Sequence, residues 1–169
     1  MKKIEDEYLK KTLFIMKAAN VALPKTAEIK IYHHNGIKDF NKTGAVFINI
    51  VNREYSKSYV IMFEGQSYPM HYHKIKQESF YVLYGDLSVC VNHKKTELHP
   101  GDLIHIERGE DHSFSCNSVK GVVFEELSTT YTRNDSFYEE EEFQNRTYHE
   151  RQTLISEENW KEIRTLWRE

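Results

Sequence analysis

Gly65-Gln66-Ser67-Tyr68-Pro69-Met70-His71-Tyr72-His73-Lys74-Ile75-Lys76-Gln77-Glu78-Ser79-Phe80-Tyr81-Val82-Leu83-Tyr84-Gly85 sets two histidines one residue apart, a glutamate after a short loop, and a glycine at either end. In an extended strand alternate side chains share a face, so His71 and His73 point the same way. Glu78 returns to that face after a tight loop. Downstream, Pro100-Gly101 and Gly109-Glu110-Asp111-His112 bring a third imidazole, His112, from a later strand. Three imidazoles and one carboxylate converging on one point make a site for a divalent transition metal with open positions. The expected ligands are His71, His73, Glu78 and His112.

Around this segment, glycines mark the turns. Gly65, Gly85, Gly101, Gly109 and Gly121 each fall between short apolar runs, among them Phe80 to Tyr84, Leu87 to Val91, Leu103 to Ile106 and Val122 to Phe124. Upstream, Ala45 to Val51 and Ser58 to Phe63 are β-branched and aromatic and read as strands. Short strands with glycine turns at this interval predict an antiparallel sandwich or barrel. No alternation of strand and helix points to a doubly wound fold.

The ends differ. Tyr8, Leu9, Leu13, Ile15, Met16 and Ala19 recur at near-helical spacing, and Asn20 and Pro24 end the pattern. Ser156 is a good N-cap for a last helix in which Trp160, Ile163 and Trp167 share a face. The chain thus reads as one domain: a helical segment over 1–24, a barrel core over 45–130 and a C-terminal helix over 156–169. Between core and last helix, Asn134 to Phe143 carries a block of four glutamates and reads as solvated surface.

Composition excludes several function classes. The net charge of −3 predicts no affinity for nucleic acid or acidic membranes. No apolar run approaches the roughly 20 residues of a membrane helix, and the N-terminus lacks the apolar core of a secretion signal. Cys90 and Cys116, without metal-type spacing, read as reduced thiols of a cytoplasmic protein.

Of the nine histidines, His33, His34, His93, His99 and His149 sit among polar residues and read as surface. The three-His, one-Glu set suits Mn²⁺ or Fe²⁺ best, because a carboxylate favours harder ions. Mn²⁺ is the expected ion, with Zn²⁺, Fe²⁺, Ni²⁺ and Co²⁺ also compatible. The lack of a cysteine near the ligands argues against a structural zinc site.

Segment 65–85 resembles the first cupin motif, G(X)5HXH(X)3–4E(X)6G, at every fixed position. Pro100 to Phe114 resembles the second, with Glu107 in place of its proline and Cys116 in place of its asparagine. The resemblance implies a mainly all-β fold, the cupin double-stranded β-helix or jelly-roll barrel, here with flanking helices and usually dimeric. Phe124-Glu125-Glu126-Leu127-Ser128-Thr129-Thr130, followed by Asn134 to Phe137, is similar to D-lyxose ketol-isomerase cupins, which carry an E-x-S-T…D segment after their last metal histidine. It also resembles cupins associated with synthases of sialic-acid-type sugars.

These likenesses imply an aldose–ketose isomerase acting on a sugar, with a metal-polarised carbonyl and an enediolate between the two sugars. Glu125 is then the expected acid/base, with Glu126 on the opposite, solvated face. Lys57 is placed to hold a sugar oxygen. It lies one residue before Ser58, where those isomerases carry a lysine. Tyr68, Tyr81 and Tyr84 are candidate sugar-stacking rings, or simply core. Two other classes remain open: a non-catalytic sugar-binding or regulatory cupin linked to sialic-type acid synthesis, and an Fe(II) dioxygenase.

Overall fold

The computed structural model describes residues 2–129 and 131–166. A helix, α1 (Lys2–Ala18), precedes β1 (Glu28–Tyr32), a 3-10 turn (Ile37–Asp39), β2 (Ala45–Asn52), β3 (Tyr55–Met62), β4 (Ser67–His73) and β5 (Glu78–Tyr84). Then come β6 (Leu87–Val91), β7 (Lys94–Leu98), β8 (Leu103–Ile106), β9 (His112–Ser115) and β10 (Val122–Thr129). The chain finishes through β11 (Ser136–Tyr138), the single-turn α2 (Glu141–Gln144), β12 (Gln152–Ile155) and α3 (Glu157–Thr165). The strands form two antiparallel sheets, in the orders β12-β1-β2-β3-β10-β5-β8 and β11-β4-β9-β6-β7.

Strand alternation sorts the apolar residues into two cores. Along β10, Val122 and Phe124 face the space between the sheets, while Val123 faces outward. Along β3, Val60 and Met62 point in and Ile61 points out. The inner core contains Phe80, Phe114 and Phe124, whose ring centroids lie 5.1–5.5 Å apart, edge-on or tilted. Full burial of each such side chain stabilises the fold by about 1.5–3 kcal/mol.

The outer core is the larger sheet's back, covered by α1 and α3. Leu9, Leu13 and Met16 form the stripe of α1 that packs there, and Trp160 and Ile163 do so from α3. Asn20 ends the first helix in the left-handed region (φ 53°), and the Val21 amide reaches back to the Met16 carbonyl. Ser156 caps α3 by accepting from the Asn159 amide. No helix among the described residues is long and apolar enough to cross a membrane.

Three strands, β1, β11 and β12, fall outside the 45–130 range read as the barrel core, and β11 and β1 bear on the site. Helix α1 stops at Ala18, and α3 is assigned over Glu157–Thr165; Trp167 and Thr130 lie outside the described residues. His33 and His34 are buried rather than on the surface. Both follow β1 directly, and their amides donate to the Arg151 carbonyl, which draws them under the strand pair β1–β12. Cys90 and Cys116 are both free thiols.

Candidate metal centre

Strand pairing brings the imidazoles together. His71 on β4 is the direct partner of His112 on β9, and His73 follows two residues along the same face of β4. Their ligand atoms all lie within 4.8 Å of one another, and all three side chains are buried. Each ring is anchored by Nδ1 to a backbone carbonyl: His71 to Pro69 at 2.8 Å, His73 to Asp135 at 2.8 Å, His112 to Glu110 at 2.9 Å. A carbonyl oxygen only accepts, so Nδ1 carries the hydrogen and each Nε2 presents its lone pair.

Glu78 opens β5 in the opposite sheet, and its Oε2 lies 3.1 Å from His112 Nε2 and 3.5 Å from His73 Nε2. Those two nitrogens are buried and have no hydrogen-bond donor. Carboxylate and imidazole lone pairs facing one another at this distance make the kind of donor set that a divalent cation takes. Burial, with the neighbouring His112 and His73, pushes the His71 pKa well below its ordinary value; burial and Lys76 lower that of His73. Neutral imidazoles are what a metal requires. The donor set fits a divalent ion.

A second layer holds this cluster. The Asp135 carboxylate accepts from the amides of Lys74, Ile75 and Lys76 at 3.0–3.2 Å, closing the loop between His73 and Glu78. Its own carbonyl anchors His73. Tyr138 on β11 stacks on His71 (5.4 Å, 26°) with the Arg151 guanidinium 4.9 Å from its ring centroid. The stretch read as solvated surface therefore supplies three buried residues, Asp135, Tyr138 and Phe143, while Glu139 to Glu142 are exposed.

Lys76 is buried beside two carboxylates. Its Nζ contacts Glu78 Oε1 and lies 3.3 Å from Glu126 Oε1. One ammonium between two acids favours one ionised and one protonated partner. Burial would raise Glu78, but Lys76 and the histidines hold it well below the usual carboxylate range. Burial raises Glu126 to about 7, with Lys76 opposing the shift and Glu78 adding to it.

The expected acid/base placement is reversed. Glu126, with Phe124 and Val122, points between the sheets and lines the same cavity as His71, His73, Lys76 and Glu78. Glu125 points to the outer face, where its Oε1 pairs with Lys57 Nζ at 2.6 Å. Lys57 is outward because Val60 and Met62 fix the inner set of β3 as the even positions, which gives Ser56 and Ser58 to the cavity. Tyr68 is a cavity wall, Tyr81 is exposed on the outer face and Tyr84 packs against the outer core. The sequence held a usable clue: E-x-S-T spacing fits Glu126-Leu127-Ser128-Thr129, one residue beyond Glu125.

Beyond the histidines, hydroxyls and amides line the cavity. Ser58 donates to Asn49 (2.7 Å), and Tyr131, Tyr148 and Lys30 form the wall beyond. The cupin-domain family model (Cupin_2) matches residues 58–130, which hold both motifs and all four expected ligands. Residues 58–130 thus match a cupin domain, and the two-sheet fold around them is the cupin jelly roll. The whole fold overlays the L-ribose isomerase of Cellulomonas parahominis with L-ribose at TM-score 0.71 and 14% identity, covering 86% of this chain and 95% of that one. The L-ribose isomerase of Acinetobacter sp. DL28, a mutant in complex with L-ribose, gives TM-score 0.66 and 14% identity over 77% and 81% of the two chains. The cupin domain of Schizosaccharomyces pombe Cnp3 is 21% identical at TM-score 0.49, with 52% of this chain covering 65% of that one. Sequence comparison with curated proteins gave no match. At 14% identity the likeness to the two L-ribose isomerases is one of fold alone.

Proposed function

We propose that this cupin is a metal-dependent aldose–ketose isomerase acting on a sugar. The observation that carries the reading is the pairing, in one cavity, of a buried three-imidazole cluster with an inward carboxyl, Glu126, that is not needed as a ligand. His71, His73, His112 and Glu78 would hold a divalent ion, Mn²⁺ by donor type, and that ion would polarise a sugar carbonyl. Glu126 accepts the proton from C2 of the aldose and returns it to C1, while the hydroxyl hydrogen passes from O2 to O1. A group that ionises near neutrality suits both halves of that transfer. Ser58, Asn49 and the tyrosine hydroxyls supply donors and acceptors for the remaining hydroxyls. Overlay with two L-ribose isomerases over most of the chain supports the reading at the level of the fold.

The test is a panel of pentoses, hexoses and hexosamines incubated with purified protein, with and without added Mn²⁺. Interconversion of at least one aldose–ketose pair, abolished by chelator, is expected. Sugar-induced thermal stabilisation without any turnover would replace the isomerase with a binding module.

A further inference from the structure

The two oxygens of Glu78 have different neighbours. Oε2 faces the imidazoles of His73 and His112, while Oε1 is taken by the Lys76 ammonium. Lys76 has little slack at either end. Its amide donates to Asp135 Oδ2 at 3.0 Å, and its Nζ is shared with Glu126 Oε1 at 3.3 Å. The side chains of Lys76, Glu78 and Glu126 are all buried.

We propose that Lys76 is a positioning residue that restricts Glu78 to one metal-ligating oxygen, Oε2. The proposal rests on the metal reading above. A carboxylate with both oxygens free is able to grip one ion with both. Here, drawing Oε1 toward an ion would strip a buried ammonium of a principal partner, which a dry interior strongly opposes. One-oxygen ligation by Glu78 leaves more of the ion's coordination sphere to a substrate. A bystander ion pair would have no such effect on how Glu78 meets a metal.

Infrared difference spectra of the full chain, ¹³C-labelled at glutamate, with and without Co²⁺, test this directly. One-oxygen ligation widens the gap between antisymmetric and symmetric carboxylate stretches relative to the free ion; two-oxygen ligation narrows it. The wild type should show the wide gap. Lys76→Met should narrow it and shift the visible Co²⁺ spectrum, and Lys76→Arg should restore the wild-type signature. Lys76→Ala serves where the Met variant does not fold. A narrow gap in the wild type, or an unchanged wide gap without the lysine charge, overturns the proposal. Failure of the metal reading looks different: the wild type would take up no Co²⁺, and every difference spectrum would be flat.

Discussion

Glu125 and Glu126 are adjacent on β10, and each lies beside a lysine, yet they occupy opposite sides of one sheet. Glu125 meets Lys57 on the outer face, where that lysine side chain is 31% exposed. Glu126 meets Lys76 between the sheets, where both side chains are 10% exposed or less. Water screens the outer pair and leaves it weak. Burial raises the inner carboxyl to about 7, because desolvation and a second carboxylate oppose its ionisation. Chemistry here follows the direction of a strand side chain more than its residue type.

That contrast is open to direct attack, and turnover is where it should be largest. Glu126→Gln should lower kcat for the sugar it interconverts by about 10²–10⁴-fold, the usual contribution of a positioned acid/base. Glu125→Gln should leave kcat within about twofold; equal losses in the two variants would erase the distinction. Stability comes next. Lys76→Met should cost about 3–5 kcal/mol in denaturant melts of the metal-free protein, because it strands buried carboxylates. Lys57→Met should cost less than about 1 kcal/mol. The smallest effect falls on the layer behind the ligands. Asp135→Ala should weaken Mn²⁺ binding by about 10–100-fold in a chelator competition, as outer-shell losses do. Asp86→Ala, which removes a solvent-exposed pair with His99, should leave Mn²⁺ affinity unchanged.

The convergence of His71, His73 and His112 was legible because its geometry is local. His71 and His73 share a face through the two-residue period, and short loops tie Glu78 and His112 to the same end of the barrel. The inward face of β10 was not legible in the same way. Two glutamates in a row give no hydrophobic contrast, and the register is settled by pairing with β3 and β5, including a bulge between Val123 and Phe124. Lys76 drew no reading at all, and Asp135 lay in a stretch read as solvated because charged residues in loops usually are. Their burial depends on β11 pairing with β4 across some sixty residues of chain, a contact that no local pattern encodes. His34 was missed for a related reason, since only packing against Tyr138 and Tyr68 makes its polar stretch an interior one.

The proposed activity depends on one site, and metal content tests that site most directly. Purified wild-type protein, stripped with chelator and dialysed against Mn²⁺, should retain about one equivalent of divalent ion by elemental analysis. His71→Ala, treated identically and shown folded by circular dichroism, should retain almost none. Equal retention by the two proteins, or none by the wild type, would contradict the metal centre and the isomerase built on it.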